Sequence, residues 1–247
     1  MEIIGYILVV VISIGLSPIL KGLVNKFVEE SEIEEKEEEK RTPAKKSKKE
    51  IKKVKVKFVP EFDWKMTAVT VLAEIILFIN LGITMQFFIY AFLTLLLVMC
   101  MFADIKGYII PNEINFVGFL VGIVLAFVKM NFSVQAGLDA ISGMLVGVLV
   151  FLGIAGLSLL IFKREGMGGG DIKLMGVIGL YLGFFNNIQV FILSFFIAAI
   201  ISIFLLATKI KKSDDYIPFG PFIVLAAYIT MLFPASVIMP NLLQLLN

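Results

Sequence analysis

Two aspartates in this chain could carry acid–base chemistry. Asp104 closes a long apolar run, and Asp171 opens another directly after Gly168-Gly169-Gly170. An ionisable side chain at the edge of an apolar span is costly, so it marks a functional position by default. Two carboxylates brought close together cannot both ionise cheaply, and they titrate as a pair sharing one proton. The ionised member can draw a proton from water while the protonated member polarises a carbonyl. The chain contains no His, which excludes His-based triads and His metal ligands. Its single cysteine, Cys100, makes neither an intrachain disulfide nor a zinc site. Its expected role is apolar packing. No metal site and no cofactor site is expected.

The surroundings of the two aspartates add further candidates. Asp104 ends a predicted helix, where the partial negative charge of the C-terminus disfavours it and Lys106 is placed to offset it. Asp171 reads equally well as a helix N-cap after a glycine turn. Gly168, Gly169 and Gly170 would also let an extended peptide backbone approach its carboxylate. Glu74 lies inside a predicted span and should face the bundle interior. Ile109-Ile110-Pro111-Asn112-Glu113 follows Asp104, and Ile217-Pro218-Phe219-Gly220-Pro221-Phe222 precedes the last span. Both segments read as helix starts or as rigid walls beside a site. Asp139 reads as the N-cap or boundary of the fifth span.

These side chains must be positioned by membrane helices. The chain has 247 residues, 59% of them hydrophobic, well above the ~45–50% of soluble domains. Apolar runs long enough to cross a bilayer recur, so an all-α polytopic membrane protein of about eight spans is predicted. They cover about residues 3–20, 66–80, 83–103, 114–128, 136–162, two spans within 174–208 divided at 183–187, and 218–240. The division falls into a first span (1–23), a charged insert (24–65) and a membrane domain (66–247). Lys and Arg mark cytoplasmic loops. Thirteen lie between Asn25 and Lys65, and Lys106, Lys163, Arg164, Lys173, Lys209, Lys211 and Lys212 fall on the same side of an eight-span chain. Lys129 is the only basic residue assigned to the opposite loops. Both termini are then extracytoplasmic, and Asp104 and Asp171 share one depth at the cytoplasmic face.

Glycine pairs at four-residue spacing (Gly118/Gly122, Gly143/Gly147, Gly179/Gly183) predict close helix packing. The insert is Glu-rich over 29–39 and Lys-rich over 45–57. It reads as a solvated tether whose Lys block rests on anionic lipid. Nothing in it suggests nucleic-acid binding.

Together these residues resemble the type IV prepilin peptidase family of GxGD membrane aspartyl proteases. The resemblance rests on Asp104 with Ile110-Pro111-Asn112, on Gly168-Gly169-Gly170-Asp171-Ile172-Lys173-Leu174, and on Ile217-Pro218-Phe219-Gly220-Pro221-Phe222. Leu72-Ala73-Glu74 resembles the Glu-bearing segment that precedes the family's first aspartate. The resemblance implies a multi-pass protein of a bacterial or archaeal cytoplasmic membrane. It implies Asp104 and Asp171 as the catalytic pair. It also implies cleavage of the basic leader from a prepilin or pseudopilin precursor. Gly168, Gly169, Gly170, Lys173, Glu74, Pro111, Asn112, Pro218, Phe219, Gly220 and Pro221 are the supporting residues. Many members carry a cytoplasmic domain with two CxxC pairs, linked to N-methylation of the trimmed product. Residues 24–65 hold no Cys, so a peptidase without that second activity is expected. Three alternatives stay open: a cation or proton transporter using Glu74, Asp104 and Asp171, a different intramembrane protease (a relative of the archaeal preflagellin peptidases, or a Ser–Lys enzyme built on Lys212 and Ser213), and an adaptor that recruits a partner through the insert. The oligomeric state is not encoded in any of these signals.

Overall fold

The computed structural model describes residues 2–39, 63–163, 166–210 and 217–238. Among these residues every regular element is a helix, and there is no strand. The order is α1 (Glu2–Glu39), α2 (Trp64–Leu81), α3 (Met85–Gly107), α4 (Asn112–Phe132), α5 (Val134–Phe162), α6 (Gly169–Leu182), α7 (Phe184–Ala207), α8 (Gly220–Leu232) and α9 (Ala235–Ile238). Backbone polar groups cannot be left bare in lipid, so helices are the open-chain solution for a sequence this apolar. Six helices are long and apolar enough to cross a membrane, and the protein is multi-pass.

The eight predicted spans correspond to α1 through α8, with differences in where they begin and end. Helix α6 has 14 residues and α8 has 13, so each rises only about 20 Å, short of the ~30 Å hydrocarbon core. The eighth helix stops at Leu232, ahead of Pro234, where a span to residue 240 was expected. The Glu-rich block is not separate from the first span, because Glu29 to Glu39 continue α1 without a break. The Lys-rich block, and the Lys212–Ser213 pair, lie outside the described residues.

The helices pack as two groups. Helices α1, α2 and α3 contact one another, and so do α4, α5 and α6, with α7 against α5. Helix α8 packs on both α3 and α7 and so joins the groups. Between lipid-embedded helices there is little hydrophobic driving force, and close van der Waals approach does the work instead. The glycine pairs supply it around α6. A Cβ on Gly143 would stand 2.5 Å from the Gly179 carbonyl oxygen, and one on Gly118 would stand 2.8 Å from Val177. Gly147 lies equally tight against the Met175 carbonyl, at 2.6 Å. Helix α6 is thereby clamped between α4 and α5, and nearly all of its side chains from Leu174 to Leu182 are buried.

The chain turns between α6 and α7 at Gly183, whose φ of +84° is costly for any side chain. Asp139 was expected to open the fifth span. That helix instead begins at Val134 with Ser133 as its N-cap. Asp139 sits beyond the first turn of α5, where its Oδ1 accepts the backbone N–H of Phe184 at 3.0 Å. It therefore caps α7 across the helix interface. Lys129 Nζ donates to the Tyr181 carbonyl at the C-terminal end of α6, at 3.2 Å, a cation where the helix dipole favours one.

Candidate active site

The site is built where the two helix groups meet. Asp104 lies three residues from the end of α3, and Asp171 is the third residue of α6. Both are buried, at 4% and 5% exposure, and each carboxylate lies within electrostatic reach of the other. Cys100, one turn along α3 from Asp104, is fully buried and within the field of both. It is a core residue, as its sequence context suggested.

The C-terminal end of a helix is a poor place for a carboxylate, and the fold compensates Asp104 from another helix. Gly220, the first residue of α8, donates its backbone N–H to Asp104 Oδ2 at 2.8 Å. The positive end of α8 thus faces the carboxylate. The offset expected from Lys106 is replaced by a different contact. Lys106 Nζ donates to Asn25 Oδ1 on α1 at 2.9 Å. Gly220 tolerates no side chain here, since a Cβ would sit 2.6 Å from Asp104 Oδ2. Pro221 occupies the first turn of α8, where its missing N–H costs nothing. Phe219 precedes it as the N-cap and packs its ring against Phe151, Phe195 and Phe222. Pro218 lies just outside the helix.

Asp171 is not the N-cap that its glycine-rich lead suggested. Gly168 is the cap, and Asp171 stands three residues on. From that position an acidic side chain reaches back to the N-cap N–H, and the Asp171 carboxylate makes this contact with Gly168. The three glycines differ in purpose. A Cβ on Gly168 would crowd Asp171 Oδ2 at 3.3 Å, one on Gly170 would strike Ile110 at 2.9 Å, and Gly169 faces open space. Only Gly169 therefore leaves room of the kind anticipated for an approaching backbone.

The segment after Asp104 is held against this loop. Pro111 is the N-cap of α4, and Asn112 is its first residue. Asn112 Oδ1 accepts from Lys173 Nζ at 2.6 Å. Asn115, which no sequence signal singled out, is buried. Its Nδ2 donates weakly to the Gly170 carbonyl at 3.4 Å, and its Oδ1 has no hydrogen bond. An amide one turn into a helix looks like any polar residue in sequence, and only its placement under Gly170 distinguishes it.

Glu74 does not join the pair. It is buried within α2, its Oε1 makes no hydrogen bond, and it lines a cavity of about 190 Å³ with Ser13 of α1 and Leu95 of α3. Leu95 precedes Asp104 by nine residues, a rise of about 14 Å. Among the described residues no three His, Cys, Asp or Glu side chains gather as a cation site.

Two buried carboxylates thus each accept from the amino end of a short helix and lie within electrostatic reach of one another, and such a pair can share one proton. The comparisons with known proteins point to a family of membrane peptidases. Residues 90–203, which include Asp104 and Asp171, match the model of the Type IV leader peptidase family. It is 30% identical over 149 residues to the Prepilin leader peptidase/N-methyltransferase of Aeromonas hydrophila, covering 59% of this chain and 49% of that one. It is 29% identical over 140 residues to the protein of the same name from Pseudomonas putida, covering 56% and 47%. It is 32% identical over 109 residues to that of Pseudomonas aeruginosa, covering 44% and 38%. The chain spans about half the length of these relatives or less. No solved structure matches it.

Proposed function

We propose that this protein is a membrane-embedded aspartyl endopeptidase that removes the basic leader from a prepilin or pseudopilin precursor. The observation that carries the reading is the meeting of Asp104 and Asp171 from separate helix groups, at the amino ends of α8 and α6. The pair holds one proton between its carboxyl groups. The ionised carboxylate takes a proton from water as that water attacks the scissile carbonyl, and the protonated one hydrogen-bonds the carbonyl oxygen. The intermediate then collapses, with a proton delivered to the leaving amine. Gly169 gives the peptide backbone room beside Asp171. The Pro111–Asn112 and Pro218–Pro221 segments hold the two helix starts in place.

The Lys and Arg distribution assigns this end of the bundle to the cytoplasm. There it meets a leader outside the bilayer while the substrate's apolar segment stays within it. Residues 24–65 hold no cysteine, and N-methylation lies outside the proposed activity. The transporter alternative has no comparable support, because Glu74 is set apart from the pair along α3 and apolar Leu97 and Met101 lie between.

The test is cleavage of a purified precursor in detergent, read by the mass of the new N-terminus. The wild-type protein cuts at one site near the start of the apolar segment, with and without EDTA. Normal cleavage by either Asp104→Asn or Asp171→Asn would refute the assignment.

A further inference from the structure

A peptidase whose carboxylates are buried at the end of a bundle needs a route by which a membrane-anchored substrate reaches them. Two cavities compete for that role. The larger, about 540 Å³, lies between α4, α5 and α6 and is lined by Lys173, Gly176 and Val177 of α6. Lys173 is two residues from Asp171, which places it about 200° around the helix. This cavity therefore lies behind α6, on the side turned away from Asp171.

The smaller cavity, about 250 Å³, lies over α3 between α2 and α8. Its floor is Thr94, Leu97 and Met101. Their spacing of three and four residues continues to Asp104 three residues further, so all four share one face of α3. On α8 the lining residues Val224 and Tyr228 continue the spacing from Gly220, whose N–H holds Asp104. Two helical stripes thus start at the Asp104–Gly220 hydrogen bond and run along the floor and one wall of the same groove. Tyr228 closes its inner part by donating to the Ala73 carbonyl of α2 at 2.7 Å. The outer rim is open to the membrane, with Leu72 and Leu225 at 60% and 43% exposure.

One side-chain hydroxyl of the lining has no partner. Thr94 is 2% exposed, and its hydroxyl makes no hydrogen bond. A buried hydroxyl without a partner is costly, and this one stands ten residues from Asp104, a rise of about 15 Å.

We propose that the α2–α3–α8 groove is the docking track for the apolar, helical segment of the precursor, and that the Thr94 hydroxyl meets a hydrogen-bonding side chain on it. This rests on the peptidase reading and names where its substrate lies. An apolar helix fits because the rim is exposed at Leu72 and Leu225 and the lining is apolar apart from the Thr94 and Tyr228 hydroxyls, the second already bonded to Ala73. The groove's lining reaches Met101 and Val224, each within one turn of the Asp104–Gly220 hydrogen bond. A hydrophilic peptide or a lipid headgroup would leave most of that wall unmatched.

The test combines photocrosslinking with paired kinetics. A benzoylphenylalanine is placed at Leu72, at Leu225, or at Phe119 in the larger cavity, each in the Asp104→Asn background, and irradiated with full-length precursor in liposomes. Adducts are expected from Leu72 and Leu225 and not from Phe119. In the active protein, kcat/KM for the anchored precursor is compared with that for a short soluble peptide spanning the cut. Leu225→Trp, which narrows the rim, lowers that ratio about tenfold, and Thr94→Val lowers it about threefold. Adducts confined to Phe119, or an unchanged ratio in Leu225→Trp, would overturn the groove while leaving the peptidase reading intact. Adducts at Leu225 with no cleavage of either substrate by wild type would sink the peptidase reading and keep the groove. Neither adducts nor cleavage sinks both.

Discussion

Helix α6 meets a carboxylate near each of its ends, and the two are used in opposite ways. At its C-terminal end Asp139 Oδ1 accepts the Phe184 N–H, and the side chain presses against Gly183 and lies within the field of Lys129, which itself donates to the Tyr181 carbonyl. At its N-terminal end Asp171 lies within electrostatic reach of a second carboxylate, Asp104, and no cation is seen bonded to either among the described residues. The sequence cues are nearly the same, an acid and glycines at the border of an apolar run. A carboxylate near a cation is favoured in its charged form, whereas two neighbouring carboxylates disfavour each other's charge.

Exchanging each acid for its amide breaks this comparison most sharply. Asp104→Asn or Asp171→Asn should lower precursor cleavage by about 10³-fold or more. Asp139→Asn should keep cleavage within about threefold of wild type and lower stability by about 1–2 kcal/mol, read as a drop in Tm in detergent. Loss of cleavage in Asp139→Asn without loss of fold would erase the distinction. Next in size is Gly220→Ala. Its new methyl would fall 2.6 Å from Asp104 Oδ2, and the displaced carboxylate should cost about 10²-fold in kcat/KM. Wild-type rates in that variant would mean that Asp104 does not need the α8 amide.

A smaller effect is expected at Lys173, whose bond to Asn112 Oδ1 ties the start of α4 to α6. Lys173→Met should lower kcat/KM about three- to tenfold, a loss of positioning and not of the reacting groups. The smallest lies at the mouth of the first helix group. Asp63 caps α2 and pairs with Lys21 of α1 at 2.9 Å, and this bond, more than the amides of Lys65 and Met66, holds its carboxyl below the usual value of 3.8. A depressed pKa contributes stability that is present above the unfolded value and is lost as pH falls through the folded one. The Tm difference between wild type and Asp63→Asn should therefore be constant above about pH 5 and shrink below about pH 4. A difference that grows on acidification would contradict the pairing.

How much of this was legible in the chain varies with the range of the interaction. The split at Gly183 was readable because only local backbone geometry is at stake there, and the glycine pairs were readable because close approach needs only the absence of a side chain. The length of α8 was misjudged because apolar composition continues past Leu232, while the break is set by Pro234 and the short helix that follows. Asp139 was misread because its partner amide, Phe184, is 45 residues away. Asn115 and Thr94 gave no signal at all, since what marks each is an unpaired oxygen inside packed helices.

The sequence by itself determined that this chain is a bundle of apolar helices with two acids at the edges of separate spans. Apolar run length and charge placement follow from the cost of burying polar groups in lipid, which each segment meets alone. Only the tertiary structure decided that those acids come within electrostatic reach of one another at the amino ends of two short helices, and that Glu74 stands apart. That outcome depends on how α3, α6 and α8 converge, and convergence is a property of packed side chains and close backbones, which no single segment carries.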